Sequence, residues 1–317
     1  MKRARCAVVM ASLTASAVSV FGSGLAVPAS AAVRVSHSLL TSYTVREITD
    51  PHDPNNTFVS GINKYGEIAA DYGSDPIQAF ILSPPYATSP IRPIRFPGAA
   101  QTDIYSLNNE GVIVGQYSMT DHKSGNSWHG FWERGGSFHT VDYPARSHRP
   151  SWDTLSGVNN AGIAVGSYEA ANGADHAFRY NIKSKQFSLP VVGPESTVAY
   201  SINDVGAIVG FFEAHHGPWF SYVTVKGKLI KFNVPGAGRT EARGINDHGL
   251  VIGTYIKSGH DHGFSWVDRG GPHGHFGYFK VPSTWKKYVM QGINNDGKIV
   301  GWYEDSTGYH GFVAVPK

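Results

Sequence analysis

The chain has 317 residues, 41% of them hydrophobic, with 37 glycines, 18 prolines, a single cysteine and a formal net charge of +3 at pH 7. One cysteine excludes a disulfide framework, so stability must come from a large core. Abundant Gly, Pro, Tyr and Phe, without clear helix-forming runs, are typical of many short strands joined by tight turns.

The first 31 residues have the parts of a secretory signal peptide. Lys2, Arg3 and Arg5 form a positive start, an apolar stretch too short to cross a bilayer follows, and residues 29–31 supply small side chains for cleavage. We therefore predict cleavage near Ala31 and a secreted protein, extracellular or in the cell envelope. Cleavage would leave 27 − 3 = 24 basic residues against 24 acidic ones. Without a basic surplus, we expect no nucleic-acid partner.

From residue 61 onward, one pattern of 43 to 51 residues occurs six times. Each copy has an asparagine followed three residues later by a glycine, and we number repeats 1 to 6 by these asparagines. Asn bonds to its own backbone and Gly accepts a positive φ, so each Asn-x-x-Gly predicts a tight hairpin. The predicted hairpins are residues 61–66, 106–111, 157–162, 201–206, 244–249 and 292–297, with Asn63, Asn108, Asn159, Asn203, Asn246 and Asn294.

Each hairpin begins a predicted unit of four strands. In five of the six repeats the strand after the turn contains a glycine, as in VIVGQY, which we expect to admit a neighbouring sheet or backbone; repeat 1 has Ala70 there. A third strand begins with His-Gly-Phe or a relative, and a fourth ends in proline. We place the third-strand phenylalanines at Phe80, Phe131, Phe178, Phe220, Phe264 and Phe312. A four-stranded antiparallel sheet of this size cannot bury both faces alone, and radial packing of such sheets gives a β-propeller.

The two chain ends predict how the units close. Only five residues follow Phe312, too few for a fourth strand, whereas residues 43–48 (YTVREI) form an unattached strand before the first hairpin. Pairing them would remove an open sheet edge. We therefore predict a single all-β domain over residues 32–317, a six-bladed β-propeller of four-stranded antiparallel blades closed by pairing of the N- and C-terminal strands.

Two stretches carry a family resemblance, FPGAAQTDIYSLNNEGVIVGQY from Phe96 and VPGAGRTEARGINDHGLVIGTY from Val234, together with the HGF segments at Gly130 and Gly263. They resemble the HAF-type extracellular repeat family of bacterial secreted proteins. The resemblance covers about residues 43–317. It implies a secreted β-propeller architecture and no particular reaction.

In such a propeller the first strand of each unit is innermost, so we expect residues just before each repeated asparagine to surround a channel mouth. Three residues before it stand Ser60, Tyr105, Ser156, Tyr200, Arg243 and Gln291; five residues before it, Asp103 and Glu241 are acidic. This variety suits a polar ligand, and the alternative is a wet channel whose residues bond one another. The predicted ligand-binding residues, rim-loop residues included, are Asp103, Tyr105, Trp152, Asp153, Tyr200, Glu241, Arg243, Trp285 and Gln291.

The leading hypothesis is a monomeric binding module, without cofactor, for an extracellular glycan or other polar ligand. The first alternative is a polysaccharide lyase or glycoside hydrolase, with acid–base work by Asp103, Glu241, Tyr105, Tyr200 and Arg243. The second is a protein-interaction scaffold.

The histidines suggest structure more than chemistry. His129, His176, His262 and His310 recur with the repeat, so we expect them to hold strands together. Three pairs have spacings that suit metal ligation, although no cysteine or repeated carboxylate accompanies them, and we predict no metal site. These pairs are His215 with His216, His260 with His262, and His273 with His275.

Overall fold

A computed structural model describes residues 43–120, 127–144, 152–190, 196–213, 219–269 and 274–317. These residues form 24 β-strands and no helix. Nothing in the described part of the chain therefore has the helical length and apolarity that a bilayer crossing requires. The predicted signal peptide, His215, His216 and His273 lie outside the described residues.

The strands follow the predicted units of four. Strand β1 is Tyr43–Ile48, and repeats 1 to 3 give β2 (Thr57–Ile62), β3 (Ile68–Tyr72), β4 (Gln78–Leu82), β5 (Arg92–Ile94), β6 (Gln101–Leu107), β7 (Ile113–Ser118), β8 (His129–Arg134), β9 (Ser137–Val141), β10 (Asp153–Val158), β11 (Ile163–Glu169), β12 (Asp175–Asn181) and β13 (Gln186–Ser188). Repeats 4 to 6 give β14 (Thr197–Ile202), β15 (Ile208–Glu213), β16 (Trp219–Val225), β17 (Lys228–Phe232), β18 (Arg239–Ile245), β19 (Val251–Lys257), β20 (His260–Val267), β21 (His275–Tyr278), β22 (Lys287–Ile293), β23 (Ile299–Glu304) and β24 (Tyr309–Pro316).

The repeated asparagine builds the hairpin as its sequence predicts. In repeat 5, Oδ1 of Asn246 accepts hydrogen bonds from the backbone N–H groups of His248 and Leu250, at 3.1 and 3.0 Å. Gly249 has a φ of +77°, a conformation in which a side chain would be strained. The same asparagine also bonds beyond its own repeat, a contact that the turn chemistry alone does not predict.

Each repeated asparagine donates its side-chain N–H to the backbone oxygen of the next repeated asparagine. The last of these bonds runs from Asn294 back to Asn63, at 3.1 Å. The other five join Asn63 to Asn108, Asn108 to Asn159, Asn159 to Asn203, Asn203 to Asn246 and Asn246 to Asn294. Every repeat is therefore tied to its successor by the residue that also shapes its turn.

The strands form five sheets, four of them four-stranded. The fifth has eight strands, because one parallel pair, Trp219 with Arg239, joins the strands of repeat 4 to those of repeat 5. The N-terminal strand β1 pairs antiparallel with β24, in register from Tyr43 opposite Pro316 to Ile48 opposite Gly311. The first strand of the chain thus completes the sheet of the last repeat.

The core lies between the sheets of consecutive repeats. One buried cluster combines Ile81 of repeat 1 with Ile104 and Phe131 of repeat 2. Another combines Val59 of repeat 1 with Val313 of repeat 6, so the first and last repeats also pack together. Each sheet buries its second face only against its neighbours, which makes the repeats mutually dependent.

The third-strand position assigned to Phe220 is wrong by two residues. In repeat 4, Phe220 pairs with Phe212, and Tyr222 stands opposite Gly210, where the other repeats place their phenylalanine opposite the second-strand glycine or Ala70. Tyr222 is fully buried and donates its hydroxyl to the backbone oxygen of Val198 at 3.1 Å. That bond lets a tyrosine fill a phenylalanine position, since a buried hydroxyl needs a partner.

Candidate functional site

The first strand of every repeat contains a β-bulge. In β6, Ile104 pairs with Gly115 and Ser106 pairs with Val114, so Tyr105 between them has no partner in the ladder. The same register shift occurs three residues before the asparagine in every repeat, at Ser60, Ser156, Tyr200, Arg243 and Gln291. An extra residue bends the strand and re-aims its side chain.

The second-strand glycine makes room for this bulge. A Cβ atom on Gly115 would lie 2.1 Å from the backbone oxygen of Asp103, and one on Gly253 would lie 1.9 Å from that of Glu241. No side chain tolerates such distances. The predicted close approach of backbone is confirmed, and it comes from the first strand of the same sheet.

All six bulge residues line one pocket of about 700 Å³, the solvent at its opening included. We call it the bulge pocket. The structure thereby brings together five of the predicted ligand-binding residues: Tyr105, Trp152, Tyr200, Arg243 and Gln291. The rest of the lining is Ser60, Ser156, Thr154, Val198, Val289 and Trp302.

One side of the bulge pocket carries a buried charge network. Glu241 accepts hydrogen bonds from both Arg239 and Arg243, one on each carboxylate oxygen. Arg243 also donates through Nη1 to Oε1 of Gln291 at 3.0 Å, and its guanidinium lies 4.5 Å from the ring centre of Tyr200. Two guanidiniums share the Glu241 carboxylate, and the carboxyl group of Asp261 lies near enough to interact with the charges of Glu241 and Arg243.

The opposite side places a carboxylate behind an aromatic lining. Tyr105 donates its hydroxyl to Oδ2 of Asp103 at 2.7 Å. Asp103 is only 3% exposed, and it lies behind the pocket wall rather than in it. Trp152 donates Nε1–H to Oε1 of Gln116 at 2.6 Å, which holds its indole in place at the pocket wall.

Four predicted ligand residues are not in the described lining of the bulge pocket: Asp103 and Glu241 bond to lining residues, whereas Asp153 and Trp285 have other surroundings. Trp285 stacks on Tyr303, with ring centres 4.2 Å apart and planes 5° apart, and packs on Phe312. It therefore belongs to the core of repeat 6. Asp153 is fully buried at the start of β10, where its backbone N–H donates to the oxygen of Trp128. Both residues were predicted from their place at a loop, and the length of a loop does not determine the direction of its side chains.

Trp302 was not among the predicted ligand residues, yet it lines the bulge pocket. It pairs across the strands with Val289, which stands five residues before Asn294 and also lines the pocket. Paired residues on neighbouring strands share one face of a sheet. The signal that could have found Trp302 is therefore its place directly after the second-strand glycine.

A second pocket, of about 420 Å³, is lined by the repeated asparagines and the residues beside them. We call it the asparagine pocket. A second series of bonds runs between the residues that follow each asparagine; for example, the backbone N–H of Asn109 donates to Oδ1 of Asn160 at 2.8 Å. Lys64 holds this place in repeat 1 and has no acceptor atom, so it cannot receive the matching bond from Asn295.

The repeated histidines stack on the aromatic residue that ends the second strand. The ring centres of His129 and Tyr117 are 5.3 Å apart, His262 and His310 stack in the same way, and His176 packs on Tyr168 with its ring tilted by 44°. This supports the structural assignment. Across the described ranges, no three His, Cys, Asp or Glu side chains group closely enough to hold a metal ion.

These features define the class of fold: the chain is an all-β protein of the β-propeller type. A glucose dehydrogenase structure aligns with a TM-score of 0.53 and 9% identity, covering 86% of this chain and 99% of that one. A putative TolB from Agrobacterium tumefaciens gives 0.52 and 9%, covering 76% and 89%. A protein of unknown function from Bacteroides thetaiotaomicron gives 0.54 and 9%, covering 87% and 76%. Identities this low show the fold alone.

No protein-family model matches the chain, and no curated protein sequence matches it.

Proposed function

We propose that the chain is a secreted, monomeric, six-bladed β-propeller of the HAF-type repeat family that binds an extracellular carbohydrate in the bulge pocket. Three contacts support a closed ring: the pairing of β1 with β24, the bond from Asn294 to Asn63, and the shared cluster of Val59 and Val313. In a closed ring, the bulge pocket and the asparagine pocket are the two mouths of the central channel.

One observation carries the binding proposal: six repeats place six bulged side chains, of four different residue types, in a single pocket. A purely structural ring needs no such variety, as the six identical asparagines demonstrate. Hydroxyls of Ser60 and Ser156, the amide of Gln291 and the guanidinium of Arg243 offer hydrogen bonds in several directions. The half-buried aromatic groups of the lining add stacking surfaces, and this combination suits a sugar ring.

A glycan panel followed by calorimetric titration tests the proposal. We expect at least one oligosaccharide to bind, and Trp152→Ala to weaken it about tenfold or more, since a buried aromatic contact and a hydrogen bond are lost. Trp132→Ala is the matched control, because Trp132 stacks on His139 and is not part of the pocket lining. Absence of binding across neutral and acidic glycans would contradict the proposal.

An enzyme acting on polysaccharide is the second candidate, and the Tyr105–Asp103 hydrogen bond favours it. A tyrosine bonded to a carboxylate, with Arg243 in the same pocket, provides groups for proton transfer and charge stabilisation. No histidine is among the described lining residues of the bulge pocket. Measuring reducing ends and unsaturated products separates the two candidates: Tyr105→Phe should abolish turnover in an enzyme and leave binding by a lectin-like module within a few fold.

A further inference from the structure

The bulge pocket has an arc of hydrogen-bond donors on repeats 5, 6 and 1. Arg243 of repeat 5 bonds to Gln291 of repeat 6. Trp302 of repeat 6 packs edge-on against Phe58 of repeat 1, at 5.5 Å between ring centres, and Ser60 of repeat 1 follows along the wall. These groups occupy neighbouring repeats and face one side of the pocket.

Two atoms of this arc are buried without a hydrogen-bond partner among the described residues. They are Nε1 of Trp302 and Oγ of Ser60. Ser60 itself is only 7% exposed. A buried polar group without a partner costs free energy, and a native protein keeps one mainly where something else satisfies it. Both residues line the bulge pocket, so a ligand there is within their reach.

The chemistry of the arc is one-sided. An indole N–H and a guanidinium only donate hydrogen bonds. Gln291 accepts from Arg243 through its carbonyl oxygen, which turns its amide N–H₂ group toward other partners. The serine hydroxyl can both donate and accept, whereas the oxygen of Gln291 is already engaged by Arg243. A ligand that only accepts, such as a carboxylate, matches this set better than a neutral hydroxyl, which both donates and accepts.

The charges beside the arc balance while Asp261 is ionised. Arg239 and Arg243 share Glu241, and Lys287 lies 3.8 Å from Glu304. Asp261 also interacts with this network, and burial raises its pKa. Protonation of Asp261 leaves one positive charge in excess, so the hydrogen-bond donors of the arc carry the argument for an anion and the charge adds to it once Asp261 is neutral.

We infer that the ligand carries a carboxylate, as in a uronic acid sugar, and that this group binds against Arg243, Gln291, Trp302 and Ser60. The inference rests on the proposed function of the bulge pocket. The sugar ring then extends toward Trp152 and Tyr105, whose polar atoms already bond to Gln116 and Asp103. The charged end of the ligand and its ring face therefore meet opposite sides of the pocket.

The test compares acidic oligosaccharides with their own neutral derivatives. Tetramers of galacturonate, mannuronate and a glucuronate-containing glycan are titrated beside their methyl esters, which keep the rings and remove the charge. We expect at least one acid to bind at least tenfold more tightly than its ester, since a hydrogen bond to a charged group is lost on esterification. We expect the preference for the acid over its ester to become smaller as the salt concentration is raised from about 20 mM to about 500 mM, because salt screens the attraction between the carboxylate and Arg243.

Variants locate the carboxylate. Trp302→Phe removes one N–H and keeps the ring contacts, and Arg243→Gln removes the charge; each should reduce acid binding about tenfold and leave the esters nearly unaffected. Trp132→Phe and Lys64→Gln remove the same groups elsewhere and should change nothing. Circular dichroism melting shows that each variant is folded, and Trp302→Phe keeps the test valid if Arg243→Gln does not fold.

The possible outcomes distinguish failure of the inference from failure of the proposed function. Equal binding of acids and esters, or binding only of neutral glycans, overturns the inference and leaves the proposed function intact. An acid preference that survives both Trp302→Phe and Arg243→Gln overturns the assigned location. Absence of binding to every saccharide overturns the proposed function and the inference with it.

Discussion

The bulge pocket and the asparagine pocket are made by the same six strands, yet they differ in every respect that concerns function. The asparagine pocket repeats one residue six times, and the side-chain amide of each copy donates a hydrogen bond to the next repeat. The bulge pocket places a serine, tyrosine, arginine or glutamine at equivalent positions and holds buried charges. The identical residues therefore lie where the repeats join, and the variable residues line the pocket that we propose as the ligand site.

The first prediction concerns the pH dependence of stability, to which we expect Asp175, near the bulge pocket, to contribute. Asp175 pairs across β11–β12 with Glu169, whose backbone N–H donates to the oxygen of Trp152. Burial, with the nearby Glu169 charge, raises the pKa of Asp175 from 3.8 to about 7. Between about pH 4 and 7 the folded protein keeps a proton that the unfolded chain has lost, so this residue lowers stability as pH rises through that window.

Asp175→Asn should therefore raise the free energy of unfolding at pH 7.5 by up to about 4 kcal/mol and change it little at pH 4. Urea unfolding at both pH values measures this. Glu169→Gln should give a smaller gain in the same direction, because it removes only the second cause. An equal effect of Asp175→Asn at both pH values would show that the carboxyl group is not the origin.

The second prediction compares two glycines of repeat 2, one at each end. Gly115→Ala puts a methyl group 2.1 Å from the oxygen of Asp103, and we expect a loss of about 3 kcal/mol or more, since the backbone must move. Gly111→Ala meets no atom within 4 Å and is strained only by its φ of +76°, so about 1 kcal/mol should be lost. Thermal melting of both variants measures the two losses of stability. Similar losses would contradict the claim that Gly115 makes room for the bulged strand.

The third prediction compares a joining residue with a lining residue. Asn246→Ala removes a bond to the next repeat and two bonds within the turn, from a side chain that is 3% exposed, and should cost about 2 kcal/mol. Gln291→Ala removes an acceptor from Arg243, which keeps Glu241, and should cost less than about 1 kcal/mol. Chemical denaturation distinguishes them. A larger loss of stability for Gln291→Ala than for Asn246→Ala would contradict the assignment of Asn246 as the joining residue and Gln291 as the lining residue.

The smallest expected effect comes from completing the second bond series in the asparagine pocket. Lys64→Asn supplies the acceptor that Lys64 lacks and should stabilise the protein by about 0.5–1 kcal/mol, the worth of one added hydrogen bond. The equivalent Asn109 and Asn160 show the geometry that the new side chain would adopt. Lys64→Gln, which is one methylene longer, is the control and should gain less. A loss of stability with Lys64→Asn would mean that Lys64 is needed where it stands.

Much of the fold could be predicted from sequence because the repeat multiplies weak signals. One Asn-x-x-Gly is a common turn, whereas six at a near-constant spacing define units, strands and hairpins. The bond from each asparagine to the next repeat could not be predicted, since turn chemistry describes one hairpin at a time. Phe220 was misplaced because β16 begins after residues 214–218, whose length hides the register.

The candidate site could be predicted only where the repeat register fixes direction. Tyr105, Tyr200, Arg243 and Gln291 stand at one repeat position, so one argument places them all. Trp285 comes from a loop, and stacking on Tyr303 decided its direction. Trp302 was missed because its relevance depends on the pairing with Val289, which appears once the bulge is known.

The bulge also bears on how such a chain can change over time. In five repeats a glycine of the neighbouring strand makes room for it, as at Gly115 and Gly253, and in repeat 1 Ala70 stands opposite the same bulge. The chain already accommodates a serine, a tyrosine, an arginine and a glutamine there. The side chains that line the bulge pocket can thus change one at a time while the architecture stays the same. A small combinatorial library confined to these six codons is a direct route to binders of new specificity.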